Sequence, residues 1–409
     1  MLEDIFPAAK RIIAEISSSF KRDPKLKSFE IIPQPESQNK SPVHLVEHCL
    51  GLESWSVPHI FYYAYRNINE ISSKNYRSKF KDPESLSNLL TTALLLNPGI
   101  VTFWNLRRQL LELGHLCPCD ELHFSLVVLS FKPKCGDVFN YRRWILSKLF
   151  KEDPGNSSLV ETEFQIVLRA AENYACNYNA WNHCLWCIQF VTSPNELLSL
   201  LAQLDTWTSQ HVSDHSVLSF RQSVIKRFNA LYISMQVPPP LNVQYLNLVS
   251  ESIKCFLEKG KISDSTAEVI SSSSSSIPVG LVLHELLFNS ELILRYSGHE
   301  ALWAHRRFIM FYLFEFFLNE SPSSDSNLFR ICKFSQVHAG ASSPKNDEKL
   351  LISSSENVEF LKSEVLNRER KFLDLSTPND SHHSDKYKKW VNKMLKLNFD
   401  EIQEGVGSF

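Results

Sequence analysis

The sequence has few of the features that enzymes of this size usually carry. Its 409 residues include only 11 glycines, and no glycine-rich phosphate loop, HExxH motif or serine–histidine–aspartate order can be read in it. No stretch of strand-like alternation between apolar and polar residues stands out. These absences argue against an α/β enzyme of the nucleotide-binding type and leave the chain without a readable active site of its own.

Charge, long apolar runs and cysteine patterns are equally scarce. The formal net charge is −2 without a basic block, so nucleic acid is not an expected partner. No apolar run reaches the roughly 20 residues of a membrane span, and residues 1–20 lack a signal-peptide core. The nine cysteines follow no disulfide spacing, as expected in a reducing compartment. We therefore expect a cytoplasmic protein without a transmembrane segment.

The sequence does contain a repeat. A large apolar residue, called the anchor below, recurs five times, and four of the five copies have an arginine three positions later. Every copy has an apolar residue seven positions later, and such positions share one side of a helix. The anchors are Trp104, Phe139, Trp181, Leu218 and Trp303, and the arginines are Arg107, Arg142, Arg221 and Arg306.

The spacing of the anchors predicts the architecture. It is close to the roughly 34 to 47 residues of helix-pair solenoids, and the last step amounts to one repeat plus an insertion. A second apolar helix precedes each anchor helix, so each unit is an antiparallel pair that buries its apolar side against its neighbours. The predicted fold is an all-α solenoid. It has an N-terminal leader (1–80) packed on the first repeat, five repeats (81–320), a mobile insertion (about 237–279) with a helix over Val243–Leu257, and a divergent, partly disordered tail (321–409).

Several side chains of the repeat have two possible roles. The arginines could form an anion-binding row, or they could be structural and bond the carbonyls of a neighbouring hairpin, which their recurrence favours. His183 and His305 occupy the same repeat position, which indicates a shared packing role. Cys184 and Cys187 lie on an anchor helix without a second pair of ligands, so no metal site is predicted.

The first copy, from Asn97 to Arg108, has the pattern Asn-Pro-x-x-x-x-x-Trp-x-x-Arg-Arg. This pattern resembles the repeats of the protein prenyltransferase α-subunit family, and the resemblance covers about 81–320. Later copies diverge: the second has Phe139 in place of the tryptophan, and the third lacks both arginines. The resemblance implies a right-handed crescent of helix pairs that wraps a β subunit. The β subunit carries the zinc, the isoprenoid pocket and most of the chemistry, so this chain needs no cofactor and is inactive alone.

The resemblance also implies individual site residues. Lys134, five positions before the second anchor, matches a lysine that assists departure of the diphosphate, although a solvated loop lysine is an equal alternative. Tyr178 matches a tyrosine near the rim of the active site. Gly136 stands where the family has a tyrosine. Asp137 stands where enzymes that read a CaaX terminus have a glutamine for its carboxylate, and an aspartate there opposes an anion.

The expected function is that of the non-catalytic α subunit of a heterodimeric, type III-like protein geranylgeranyltransferase. Its partner would be a prenyltransferase β subunit, of the Rab geranylgeranyltransferase type, and the isoprenoid diphosphate and protein substrate would meet at the shared interface. The alternative is a prenyltransferase-like helical scaffold that binds protein partners without supporting transfer. Lys134 favours the transferase, whereas Gly136 and Asp137 favour the scaffold.

Overall fold

The computed structural model describes residues 8–36, 39, 41–75, 79–235, 239–257, 276–318, 355–376 and 380–395. They belong to two compact units, one within Met1–Phe190 and the other within Val191–Phe409. Residues 258–275 of the predicted insertion, and residues 321–354, 377–379 and 396–409 of the predicted tail, lie outside the described residues.

The first unit opens with helix α1 (Ala9–Arg22), three strands and helix α2 (Val57–Ser72). The strands are β1 (Ser28–Ile32), β2 (Val43–Val46) and β3 (Cys49–Glu53), and β3 lies in the middle, parallel to β1 and antiparallel to β2. The sequence did not predict this sheet, because strands of four or five residues are too short for an alternating pattern to stand out. β3 is also mostly buried, so its residues read as a continuous apolar run.

Three helix pairs follow in the first unit, and they confirm the predicted repeat. They are α3 (Pro83–Leu96) with α4 (Val101–Glu112), α5 (Pro118–Phe131) with α6 (Gly136–Glu152), and α7 (Ser157–Asn173) with α8 (Tyr178–Cys187). A 3-10 turn, Ile188–Phe190, ends the unit. The helices begin at caps that the sequence supplies: Asp82 Oδ1 accepts the N–H of Ser85 at 3.0 Å, and Pro83 and Pro118 occupy the first turns. Both α1 and α2 pack on α3.

The described residues of the second unit form three more pairs and one extra helix. The pairs are α9 (Pro194–Gln210) with α10 (His215–Ser234), α12 (Ile277–Arg295) with α13 (Glu300–Leu313), and α14 (Ser355–Leu375) with α15 (Ser381–Met394). A π-helical turn, Phe314–Leu318, extends α13. The extra helix is α11 (Val243–Leu257), with the bounds that the sequence predicts.

Helix α11 packs closely on α12, although it lies in the stretch predicted to be mobile. A Cβ atom at Gly280 would overlap the side chains of Val249 and Ile253, so the two helices need a glycine at their contact. Within the described residues one helix, α12, is long and apolar enough to cross a membrane, by length and composition only. Most of it is buried by its neighbours, as in the core helix of many domains.

The last helix pair covers the fifth anchor. The sequence predicted only a divergent, partly disordered tail over 321–409, whereas the structure has the helices α14 and α15 in it, and Tyr387 and Val391 of α15 are buried. The indole Nε1 of Trp303 donates to Asp380 Oδ1 at 3.0 Å, and the rings of Trp303 and Tyr387 lie 5.6 Å apart. The fifth repeat is thus followed by another pair, where the sequence pattern had become unreadable.

Candidate functional site

The anchors and the repeat arginines both lie in the core of the helix pairs. The anchors Trp104, Phe139, Trp181, Leu218 and Trp303 are at most 3% exposed. The guanidinium groups of the four arginines are also buried, and each binds a glutamate on the first helix of the next pair. The ion pairs are Arg107–Glu121, Arg142–Glu163, Arg221–Glu285 and Arg306–Glu369.

The four ion pairs share one geometry. In each, Nε and Nη2 of the arginine donate to the two oxygens of the carboxylate, at 2.9 and 2.5 Å for Arg142 and at 2.7 and 2.6 Å for Arg306. This two-point contact is the strongest that a guanidinium makes with a carboxylate. The arginines are therefore used inside the protein and are not exposed to an anionic ligand.

In three of the four ion pairs, a third side chain also hydrogen-bonds to the carboxylate of the glutamate. Two positions after the anchor of the next pair, Tyr141 Oη donates to Glu121 at 2.6 Å, His183 Nε2 contacts Glu163 at 2.8 Å and His305 Nε2 contacts Glu285 at 2.7 Å. An ionised carboxylate only accepts, so both histidines carry their proton on Nε2. The position that His183 and His305 share thus serves the buried ion pair.

The electrostatics of the cluster around Glu163 keep it ionised. Burial alone would raise the pKa of Glu163, but the charge of Arg142 and the hydrogen bond from His183 lower it to about 2. Burial lowers the pKa of His183, although Glu163 opposes the shift. Burial also raises the pKa of the Cys184 and Cys187 thiols, so neither is an activated nucleophile. Over the described ranges, no group of three or more histidine, cysteine or acidic side chains could hold a metal ion.

The glutamates could have been found in the sequence, since Glu121, Glu163 and Glu285 each lie eighteen positions before the next anchor. The same count from Leu218 reaches Leu200 in the fourth repeat. The third repeat correspondingly has Cys184 in place of arginine. Neither of these two repeat positions carries a charge, so neither requires a buried counter-ion.

Lys134 lies on the surface, in the four-residue loop between α5 and α6. Its side chain is exposed, and Nζ donates to Tyr174 Oη at 3.1 Å and lies 4.6 Å from the centre of the Tyr174 ring. In the part of the chain that the structure describes, no carboxylate lies within ion-pair distance of Nζ. The ammonium group is thus held by an aromatic ring and keeps donors free for an anion.

The backbone around Lys134 is fixed by the next helix pair. Asn177 Nδ2 donates to the carbonyl of Pro133 at 2.8 Å, and Asn179 Nδ2 donates to the carbonyl of Lys134 at 2.9 Å. Asn177 Oδ1 also accepts the N–H of Ala180 at 3.2 Å and thereby caps α8. The loop before α8 therefore fixes the backbone of the loop between α5 and α6, while the ammonium group of Lys134 remains exposed to solvent.

Tyr178 is on the neighbouring loop, at the first residue of α8, and its side chain is 67% exposed. Cys176, two residues earlier, has a φ of 52°, a left-handed conformation that is uncommon for a residue with a Cβ atom. The N–H of Tyr178 donates to the carbonyl of Cys176 at 2.9 Å, which closes the turn. The structure thus places Lys134 and Tyr178 on adjacent loops. It adds Tyr174, which sequence reasoning missed because its position is not part of the repeat pattern.

The two departures from the family pattern also have a structural setting. Gly136 is the first residue of α6, and a Cβ atom there would lie 3.4 Å from Asn179 Oδ1, so Asn179 fills the space beside it. Asp137 lies in the first turn of α6, where a carboxylate interacts favourably with the helix dipole. The same negative charge makes the loop of Lys134 less favourable for an anion.

The described residues thus form a repeat protein of helix pairs, which bidentate arginine–glutamate contacts join to one another. Three segments match the family model described as protein prenyltransferase alpha subunit repeat, residues 118–149, 160–191 and 282–313. The first of these begins with α5 and spans most of the α5–α6 pair.

Similar proteins identify the family. Protein prenyltransferase alpha subunit repeat-containing protein 1 of Danio rerio is 31% identical over 331 residues, which cover 76% of this chain and 74% of that protein. The Homo sapiens protein of the same name is 29% identical over 413 residues, 95% of this chain and 98% of that protein. Geranylgeranyl transferase type-2 subunit alpha of Candida albicans matches a smaller part, at 29% identity over 132 residues, which are 29% of this chain and 35% of that protein. This chain belongs to the protein prenyltransferase α-subunit repeat family.

Proposed function

We propose that this chain is the α subunit of a heterodimeric protein geranylgeranyltransferase and that Lys134 acts on the isoprenoid diphosphate. The observation that carries the proposal is the exposed Lys134 ammonium, which is held by Tyr174 and has no carboxylate partner among the described residues. The family membership supports it, as does the partial likeness to the type-2 α subunit of Candida albicans. The proposed partner is a β subunit of the Rab type, and the heterodimer would act in the cytoplasm.

In the proposed reaction, the sulfur of a protein cysteine forms a bond with C1 of the isoprenoid, and the bond from C1 to the diphosphate oxygen breaks. A zinc ion held by the β subunit would lower the pKa of the substrate cysteine, so that its thiol proton passes to solvent and the sulfur reacts as a thiolate. The electron pair leaves with the diphosphate, so negative charge grows on the departing oxygen. Lys134 would stabilise that charge in the transition state, because its ammonium is already positioned and need not reorganise.

Tyr174 would act together with Lys134. Its phenolic oxygen accepts from Nζ, which leaves the O–H free to donate to a second oxygen of the diphosphate. This phenol could take the place of the tyrosine that the family has at the position of Gly136. Tyr178 would contact the substrate from the adjacent loop.

Asp137 favours a second candidate function, that of a scaffold that binds protein partners without supporting transfer. Its carboxylate lies three residues from Lys134 and would repel a free C-terminal carboxylate. If transfer occurs, the acceptor protein is then positioned by other surfaces than a CaaX pocket.

Lys134→Ala distinguishes the two functions, with Lys132→Ala as a matched control. Both lysines are exposed in the same loop, but Lys132 Nζ lies over the ring of Phe131 at 4.5 Å, away from Tyr174. Each variant would be co-purified with the Rab-type β subunit and assayed for transfer of labelled geranylgeranyl diphosphate to cytosolic proteins. We expect intact heterodimers throughout. Transfer by Lys134→Ala should be slower by about 10²-fold, the effect of losing one preorganised charge donor.

The other outcomes separate the subunit assignment from the site. Equal rates for all three proteins would retain the heterodimer and eliminate the role of Lys134. A chain that binds no prenyltransferase β subunit would instead be the scaffold. Farnesyl diphosphate, offered in parallel, tests which isoprenoid is transferred.

A further inference from the structure

The first two repeats carry a second row of arginines, one position after the buried row. Arg108 and Arg143 lie four positions after their anchors, on α4 and α6, and both are partly exposed. An asparagine one turn earlier orients each of them: Arg108 Nη1 donates to Asn105 Oδ1 at 2.9 Å, and Arg143 Nη2 donates to Asn140 Oδ1 at 2.7 Å. The same Asn-x-x-Arg arrangement is therefore presented twice in adjacent repeats.

These two arginines differ from the buried row in having no counter-ion. No carboxylate within the described ranges forms an ion pair with Arg108 or Arg143, and Arg108 Nε is buried without a hydrogen-bond partner. Burial lowers the pKa of Arg143. Burial acts in the same direction on Arg107, but the negative charge of Glu121 outweighs it, so that the pKa of Arg107 is raised. A partly buried cation without a counter-ion is stabilised when an acidic group of another molecule pairs with it.

Trp144 lies beside the pair of arginines and adds an apolar contact. The guanidinium carbon of Arg108 lies 5.6 Å from the centre of its ring system, and Lys148 Nζ lies 4.1 Å from it. Its ring stacks on Tyr141, with 6.0 Å between ring centres, and is half-buried. Tryptophan and arginine are the residues most enriched at the energetic centres of protein interfaces.

The local charge balance favours an acidic partner. Glu112 lies 3.6 Å from Lys148 and neutralises it, so the positive charges of Arg108 and Arg143 remain in excess.

We propose that Arg108, Arg143 and Trp144 form the surface on which the β subunit docks, through its aspartate and glutamate side chains. This inference rests on the proposed function, because it specifies where the partner binds. Each guanidinium retains donors that can hold a carboxylate at two points, and the asparagines reduce the conformational freedom lost on binding. Trp144 packs against an apolar side chain of the same partner segment.

The test measures the dissociation constant for the purified β subunit with the full-length chain at two ionic strengths. The variants are Arg108→Gln, Arg143→Gln and their combination, and Arg169→Gln, an exposed arginine on α7, is the control. We expect each single variant to bind about tenfold more weakly or worse, the double variant about 100-fold more weakly, and the control like the wild type. The salt dependence should flatten in the double variant, since fewer charges are paired.

A second pair of variants tests the two-point geometry. Arg108→Lys and Arg143→Lys keep the charge but lose the planar fork, so they should bind more weakly than the wild type. Full binding by these variants, or by the double glutamine variant with an unchanged circular dichroism spectrum, would overturn the inference while leaving the heterodimer intact. Failure of the wild type to bind would overturn the proposed function as well. Loss of binding to phosphatidylserine vesicles, without loss of β-subunit binding, would assign the arginines to a membrane instead.

Discussion

Replacing Glu163 with glutamine removes the charge at the centre of one ion pair with almost no change of shape. Glu163 is 1% exposed and accepts hydrogen bonds from Arg142 and His183. The variant leaves the Arg142 guanidinium buried without a counter-ion. We expect the free energy of unfolding of the first unit to fall by about 3–5 kcal/mol, as when one partner of a buried pair is lost.

The pKa of Glu163 gives the same order of magnitude. Its lowering from 4.5 to about 2 corresponds to about 3 kcal/mol, at about 1.36 kcal/mol for each pKa unit. Because the folded-state pKa lies below that of the unfolded chain, this stabilisation is fully present above about pH 5 and is lost as the pH falls towards 2. At pH ~3.5 the wild type should already have lost about 1.4 kcal/mol through this group. The glutamine variant lacks that loss, so the two proteins should converge in acid.

Urea unfolding followed by tryptophan fluorescence measures the difference at a series of pH values. Glu172→Gln is the control, since Glu172 is exposed on the same helix, α7. The double variant Arg142→Cys/Glu163→Leu copies the natural combination of Cys184 and Leu200, and it should recover part of the lost stability because no charge is left unpaired. A cost below about 1 kcal/mol for Glu163→Gln, or a cost independent of pH, would refute the electrostatic reasoning.

Three further substitutions test the packing. Trp303→Phe removes one hydrogen bond to Asp380 Oδ1, which still accepts the N–H of Gly298 at 2.8 Å, so thermal unfolding should show a loss of about 0.5–1.5 kcal/mol. An unchanged melting temperature would mean that this hydrogen bond does not stabilise the fifth anchor. Gly280→Ala should lower the free energy of unfolding of the second unit by about 1–3 kcal/mol, because the added Cβ atom overlaps Val249. Gly136→Ala should be nearly neutral or slightly stabilising, because its Cβ atom would lie 3.4 Å from Asn179. Equal effects of the two glycine substitutions in chemical denaturation would contradict this expectation.

The helix pairs could be predicted from sequence because their signals are local. An apolar side with helical spacing, a proline or acid at the start and a break before each anchor predict a pair of helices for each of the five repeats, and the structure has these pairs in α3 to α10, α12 and α13. The three-stranded sheet could not, since its strands pair residues such as Ser28 with Cys49 that are far apart in sequence. Helix α15 was not predicted because its sequence is polar apart from the few side chains that cover Trp303.

The candidate site was predictable only in part. Lys134 and Tyr178 were implied by the resemblance to the prenyltransferase α-subunit family, and they lie on adjacent loops in the structure. Tyr174 was not predicted, because contact with Lys134 depends on how neighbouring pairs stack and not on any motif. The same limit applied to the arginines: their recurrence indicated structure, but their partners were glutamates in the next repeat and not the hairpin carbonyls expected.

The ion pairs between consecutive repeats restrict how the sequence can evolve. A mutation that removes an arginine in one repeat leaves a buried, unpaired carboxylate in the following repeat. The arginine and glutamate positions are therefore expected to change together over short evolutionary intervals. At the corresponding positions of the third and fourth repeats, Cys184 and Leu200 are both uncharged, as this expectation requires. Ion pairing between repeats is compatible with insertions between them, because Arg306 forms its ion pair with Glu369 although a long segment separates the two residues in the sequence. Among descendants of this sequence, correlated substitution should therefore follow the order of the repeats, while the lengths of the connections drift freely.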